Sequence, residues 1–343
     1  MAATQKIIVL RFSAMGDVAM VASVLQEFSE QNPSAELIMV SRPAFKPFFD
    51  HITNLTFHPI QPKTTHKGID GLYKLYQELR SYKPDAIADL HDNLRSRAIS
   101  TFFRLTGIKI RRIDKGRAEK KALTRTSNKV FKPLRKTVER YADVFRELGL
   151  NLKLSHKINK SPQAIPAKAK GLFTDKTTKK IGISPFAQHV YKVYNLEKMQ
   201  EVIAELSSSG YELFIFGGGK TEQNIAEDWV KKHANTYNLI GNFNLTEELA
   251  IISNLDLMLS MDSSGMHMAS LVGVPVVSVW GPTHSYAGFL GYGQSESDCI
   301  QIDHPSRPNS IYGNKPCLCG VDSCIDLIEP ETIVNKIKEK LNG

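Results

Sequence analysis

Short apolar runs, each closed by a turn and followed by an amphipathic stretch, recur through both halves of this chain. The first, Lys6-Ile-Ile-Val-Leu10, leads into Ser13-Ala-Met-Gly-Asp17 and an apolar-periodic stretch over 18–28. Runs 35–40 and 86–90 read as further strands, and 73–79 and 137–148 as helices, the last stopped by Gly149. The pattern restarts after residue 180: strands at 180–184, 212–216, 256–260 and 274–279 alternate with helices at 196–208, 222–233, 245–252 and 266–271. A final amphipathic helix over 330–341 carries Ile333, Ile337 and Leu341 four apart. Fully apolar strands between amphipathic helices imply parallel sheets covered on both faces. The expected fold is α/β: two Rossmann-like, doubly wound parallel-sheet domains facing a central cleft.

A chain of 343 residues exceeds one ordinary core. Composition shifts to Lys, Pro, Ser and Thr over 155–180, with Pro162 and Pro166, which marks a linker. The expected division is 1–160, 175–328, and a terminal helix over 329–343 packing back across the domains. No uncharged apolar run approaches the roughly 18–20 residues of a membrane span. Arg11 and Asp17 cut the first apolar run short, making it a poor secretory signal, so a cytoplasmic location is expected. All four cysteines, Cys299, Cys317, Cys319 and Cys324, lie near the C-terminus. C-x-C-x4-C is not a strong zinc spacing and no His pair accompanies it, so thiols without a metal are expected.

The formal net charge of +9 is localised. Residues 109–136 hold twelve Lys or Arg and two acids, a sum of +10, leaving about −1 for the remainder. Such a stretch is a footprint for a polyanion (nucleic acid, anionic membrane surface or phosphorylated glycolipid), unless it is simply a solvated loop.

Ligands of open α/β sheets bind at the carboxyl ends of strands. In Ser13-Ala-Met-Gly16-Asp17, the carboxylate could serve as a general base, or as a helix N-cap, the plainer reading of spacing alone. In Met261-Asp262-Ser263-Ser264-Gly265-Met266-His267, a helix N-terminus flanked by hydroxyls and an imidazole suits a diphosphate. Gly217-Gly218-Gly219 fits neither a dinucleotide fingerprint nor a P-loop, but lets a ligand approach the backbone, with Glu222 in reach of a ribose hydroxyl. Lys192, beyond the strand ending at Ser184, could neutralise a departing phosphate. No Ser-His-acid, metal-ligand or paired-carboxylate spacing accompanies these.

Together these segments resemble the lipopolysaccharide heptosyltransferase family, glycosyltransferase family nine. The likeness rests on Leu10-Arg-Phe-Ser-Ala-Met-Gly-Asp17, Asp89-Leu-His-Asp-Asn-Leu-Arg95-Ser96, Lys192 with Tyr194, and the block from Asp262 to Gly281-Pro282-Thr283; the Cys317-Leu-Cys319 and Cys324 tail is also similar. The resemblance implies a GT-B architecture and inverting, metal-independent transfer from an ADP-heptose donor to an anionic lipopolysaccharide core acceptor, with no cofactor. It implies an acceptor domain over 1–160 and a nucleotide-sugar domain over 175–328. Asp17 becomes the general base, and Lys192 the residue that stabilises the leaving diphosphate. Ser184, Lys192, Gly217, Gly218, Glu222, Asp262, Ser263, Ser264, Gly265 and His267 become donor contacts. Ser13, Gly16, Arg95, Arg111, Arg112, Lys120 and Lys121 become acceptor contacts. Partners would be the ADP-sugar and an anionic glycolipid, without nucleic acid, and membrane contact would be peripheral and electrostatic at the inner membrane. One departure stands out: many members place Gly two positions after the Asp, where this chain has Ser264, with the Gly at 265. Competing readings are another GT-B nucleotide-sugar enzyme such as an epimerase, a nucleic-acid-binding protein using 109–136, or a degenerate transferase that binds nucleotide without turnover.

Overall fold

The computed structural model describes residues 5–342, which fall into two compact units. The first takes the described residues up to Lys115 together with Lys136–Ser155. The second takes Gly116–Arg135 and the described residues from His156 onward.

In the first unit, β1 (Lys6–Leu10) is followed by α1 (Met15–Gln31), β2 (Glu36–Ser41) and β3 (Leu55–Pro59). Then come α2 (Gly68–Arg80), β4 (Ala86–Asp89), α3 (Leu94–Arg104) and β5 (Lys109–Arg112). A short α4 (Arg117–Leu123) belongs to the second unit, and α5 (Thr137–Leu148) returns to the first. The five strands pair in parallel in the order β3-β2-β1-β4-β5. Leu10 lies opposite both Val40 of β2 and Asp89 of β4, so the chain's winding reverses between β1 and β4. Ile7 to Leu10 are wholly buried, as a strand covered on both faces must be. Ile8, Leu10, Ile38, Val40 and Ile87 pack with Leu75 and Leu79 of α2 and Ile99 and Phe103 of α3. Phe28 of α1 meets Phe145 of α5 at 4.7 Å between centroids. Burying each such ring contributes about 1.5–3 kcal/mol. Gly149 ends α5 with φ 94°, a left-handed cap that costs glycine little.

The second unit repeats the winding with one more strand. Its elements are β6 (Lys180–Ser184), α6 (Leu196–Ser208), β7 (Glu212–Ile215), α7 (Lys220–Val230), β8 (Thr236–Asn238) and α8 (Leu245–Ser253). β9 (Leu257–Met261), α9 (Ser264–Leu271), β10 (Val276–Val279) and β11 (Cys299–Ile300) complete the sheet, ordered β11-β10-β9-β6-β7-β8 and parallel throughout. The reversal here falls between β6 and β9. A two-stranded hairpin of β12 (Leu318–Cys319) and β13 (Asp322–Ser323) precedes α10 (Pro330–Asn342). α6 starts on Asn195, whose side chain accepts from the Glu197 and Lys198 N–H groups, and α8 on a reciprocal Asn244–Glu247 capping box.

Two features differ from the sequence expectation: the grouping of residues 116–135 and the state of the tail cysteines. Residues 116–135 cluster with the second unit, because Leu123 and Leu134 pack on Ala287 and Leu134 N–H donates to Tyr286 O at 2.9 Å. Ile333, Val334 and Ile337 of α10 enter the second unit's core, where the helix lies against α6. Among the tail cysteines, Cys319 and Cys324 form a disulfide instead of standing as free thiols, because the hairpin brings their Cα atoms to 5.2 Å. Cys299 and Cys317 are free. No helix among the described residues is long and apolar enough to cross a membrane.

Candidate active site

At the winding reversal of the first unit, the residue preceding α1 is Ala14, which makes no side-chain cap. Asp17 therefore does not cap its helix. Its carboxylate sits in the first turn with one oxygen 2.7 Å from Arg11 Nη2 and the other accepting the Tyr141 hydroxyl at 3.2 Å. Arg11 is 8% exposed and also donates to the Leu90 carbonyl at 3.0 Å. Donors from the end of β1 and from α5 thus fix the Asp17 rotamer at the carboxyl end of β1. Ser13 and Gly16, half-buried, flank it.

His91 closes the same corner. Its Nδ1 accepts the Phe12 N–H at 3.1 Å, and its ring meets Phe12 edge-on at 5.1 Å. Burial, then the nearby Arg11 and Lys115, depress its pKa to about 3, so the ring is neutral and its proton belongs on Nε2. Asp89 organises this loop: one oxygen accepts the His91 and Asp92 N–H groups, the other the Ser96 hydroxyl and Arg112 Nε at 3.1 Å.

The expected acceptor contacts separate into two groups. Arg112 is committed to Asp89 and lies 3.5 Å from Asp92. Lys120 is 7% exposed, with its ammonium 4.3 Å over the Phe289 ring. Arg95, on the first turn of α3, Arg111 and Lys121 are exposed, and the acid beside Arg111 is Glu147 at 3.9 Å. Within the basic stretch Lys109 and Lys129 also donate to backbone carbonyls. The stretch is partly internal scaffolding and partly open surface.

At the reversal of the second unit, Ser184 ends β6 opposite Ser260 of β9. Asp262 follows β9 and pairs with Lys192 at 2.9 Å, both side chains mostly buried. Ser263 precedes α9 without capping it, and its hydroxyl lies 3.4 Å from that of Ser260. Gly265 explains the displaced glycine: a Cβ there would overlap the Ser184 hydroxyl and come within 3.1 Å of Ser260 Oγ. The glycine is the condition for α9 to sit against β6. His267 is buried one turn on. In the Gly-rich turn Glu222 folds back, accepting the Gly218 N–H at 2.7 Å, and a Cβ at Gly217 would lie 2.7 Å from the same carboxylate.

Four contributors escaped sequence reasoning. Arg11 and Tyr141 carry a legible signal only in Arg11, a charge placed directly behind an apolar strand. Arg307 is 3% exposed and donates to the carbonyls of Trp280, Gly281, Ile302 and Thr283 and to Gln301, so it holds the Gly281-Pro282-Thr283 turn. Gly313 seats the aliphatic stem of Lys192, which a Cβ would displace. Nothing in the local sequence of Gly313 announces Lys192, a partner more than a hundred residues away.

Two doubly wound parallel-sheet units are the architecture of a GT-B glycosyltransferase. The sequence profile of glycosyltransferase family 9 (heptosyltransferase) matches residues 72–308. This chain belongs to that family. The lipopolysaccharide core heptosyltransferase OpsX of Haemophilus influenzae is 27% identical over 288 residues, 81% of this chain and 79% of that protein. The family 9 glycosyl transferase structure from Veillonella parvula matches with a TM-score of 0.74 at 18% identity, over 100% of this chain and 98% of that one. The structure of Escherichia coli heptosyltransferase WaaC with ADP matches with a TM-score of 0.68 at 17% identity, over 98% and 100%.

Proposed function

We propose that this protein transfers a heptose from an ADP-heptose donor to a hydroxyl of an anionic lipopolysaccharide core acceptor, with inversion and without a metal on the diphosphate. The observation that carries the reading is the Lys192–Asp262 pair beside the first turn of α9. There an ammonium and a helix N-terminus offer positive potential to a leaving diphosphate. The donor is supported by what structural neighbours hold: one E. coli WaaC structure is with ADP and another with ADP-2-deoxy-2-fluoro heptose.

In this mechanism Asp17 accepts the proton of the acceptor hydroxyl as the oxygen attacks the anomeric carbon. Arg11 and Tyr141 keep its carboxylate in one orientation. The bond to the ADP oxygen breaks on the opposite face, which inverts the centre. Lys192, held by Asp262, takes up the charge released on the diphosphate. Ser184, Ser263, Ser264, Gly265 and His267 line the phosphates, while Gly217, Gly218 and Glu222 receive the nucleoside. Glu222 already accepts a backbone N–H, the role a ribose hydroxyl would share. Ser13, Gly16, Arg95, Arg111 and Lys121 meet the acceptor, whose phosphates or acidic sugars suit the exposed cations, and Arg112 and Lys120 shape that surface from within. Contact with the inner membrane would be peripheral.

Calorimetric titration with ADP, UDP, GDP and CDP tests the donor. Selective ADP binding, weakened by Lys192→Ala and Asp262→Ala, supports the reading. Selective UDP or GDP binding would discard ADP-heptose while keeping a transferase, and absence of any nucleotide binding would sink the donor site altogether.

A further inference from the structure

The tail of the second unit carries chemistry that sugar transfer does not use. A nitrogen of His304 and the sulfurs of Cys319 and Cys324 all lie within 4.8 Å of one another. The Cys317 sulfur is 3.1 Å from that of Cys324. Cys317 is 2% exposed and Cys324 wholly buried, while His304 and Cys319 are half-buried, so Cys317 adjoins, through Cys324, the group that His304, Cys319 and Cys324 form. A disulfide occupies only two of them and leaves a thiol and an imidazole pressed against it.

The surrounding fold gives this point a purpose. Strands β12 and β13 are two residues each, and the hairpin's apolar side chains face water: Leu318 of β12 is 53% exposed and Val321 of the turn 92%. A hairpin this small has no core of its own and needs a cross-link. Tetrahedral zinc, with Zn–S near 2.3 Å and Zn–N near 2.0 Å, sets its ligands about 3.5–3.8 Å apart. The Cys317 and Cys324 sulfurs are 3.1 Å apart and the atoms of His304, Cys319 and Cys324 lie within 4.8 Å, so zinc fits once the Cys319–Cys324 bridge opens and these side chains turn toward one centre. A Cys3His set holding zinc carries one net negative charge.

We infer that the reduced protein binds one zinc ion through Cys317, Cys319, Cys324 and His304, closing the hairpin as a structural site. Reduction comes first. A phosphine such as TCEP takes oxygen from water to become its oxide, and the Cys319–Cys324 bridge receives two electrons and two protons to become two thiols. Zinc then displaces the protons of three thiols to the buffer. Either imidazole nitrogen can serve, and in both cases Nδ1 gives up the Ser306 N–H it now accepts at 3.2 Å.

The site is structural, yet its loop supports the donor half. Gly313 lies on the Lys192 stem, Ile325 would touch a Cβ at Gly281 at 3.0 Å, and Tyr194 donates to the Ile328 carbonyl at 2.6 Å. The ion lies in the loop that carries these supports and does not bind the diphosphate.

Cobalt(II) titration of the full chain in TCEP is the test. One equivalent should produce the intense visible bands of tetrahedral cobalt and a thiolate charge-transfer band, both abolished by one equivalent of zinc. Cys317→Ser and His304→Ala should each weaken zinc binding more than about 100-fold, since even outer-shell changes cost about 10–100-fold in metal affinity. Cys299→Ser, outside the cluster, should bind as the parent does, and if one ligand variant fails to fold the other decides. A weak octahedral spectrum, no uptake by fully reduced protein, or full affinity in Cys317→Ser would overturn the assignment.

Discussion

Asp17 shows how little spacing reveals about a carboxylate. Its position in a first turn reads as a cap, but Ala14 starts the helix and the side chain answers instead to Arg11 and Tyr141. As the proposed base, Asp17→Asn should lower kcat by about 10²–10⁴-fold while leaving ADP affinity unchanged, because proton transfer acts in the transition state. Equal loss of ADP affinity would make it a structural residue. Tyr141→Phe removes one hydrogen bond and should cost about 1 kcal/mol, seen in kcat and not in nucleotide binding. Two histidines set a separate pH response. Burial, reinforced by neighbouring cations, lowers His91 to about 3 and His284 to about 4, both below their unfolded value. The unfolded chain therefore binds more protons in the window between those values and about 6.5, and stability falls on acidification through it. His91→Gln should flatten that acid limb in denaturant titrations; an unchanged slope would mean the ring is not held neutral.

At the scale of elements, the contact between α9 and β6 is the tightest constraint on the donor half. Gly265→Ala forces a methyl into the Ser184 hydroxyl and should destabilise the second unit by about 1–3 kcal/mol while weakening ADP binding. Adding Ser184→Gly should restore most of the stability, which calorimetry of the pair against each single variant would reveal; no rescue would place the strain elsewhere. The strands and helices flanking this contact were legible because β6 and α6 are plain apolar and amphipathic runs. Residues 180–184 and 196–208 fall where the periodicity puts them. β5 was not legible: Lys-Ile-Arg-Arg is an edge strand whose cations serve Asp89 and the α5 carbonyl end, so charge count concealed a strand. α3 was hidden similarly. It begins on an Asn93–Ser96 box without the acidic third residue that advertises a cap, and small buried hydroxyls interrupt its apolar stripe. In the site itself, motifs point to Asp17, Lys192 and Asp262; of the residues that hold Asp17, Arg11 sits in the same motif, while Tyr141 comes from 124 positions away with no local signature.

For the whole molecule, every proposed donor contact belongs to the second unit, while Asp17 belongs to the first. ADP at 100 times its Kd should stabilise the unit that binds it by about 2.7 kcal/mol. Scanning calorimetry should then show one transition moving upward with ADP and another staying in place. Equal movement of all the heat absorbed would show that the units unfold as one. The division also has a consequence for biosynthesis. Residues 116–135 leave the ribosome with the first unit, but Leu123 and Leu134 dock against Ala287 and Lys129 donates to carbonyls of Pro305 and Arg307. Their partners follow about 150 residues later, which at about 5–20 residues per second is a wait of roughly 8–30 s. During that interval a basic segment with uncovered leucines hangs from an otherwise finished domain, the stage of manufacture at which a chaperone would find this protein most in need of cover.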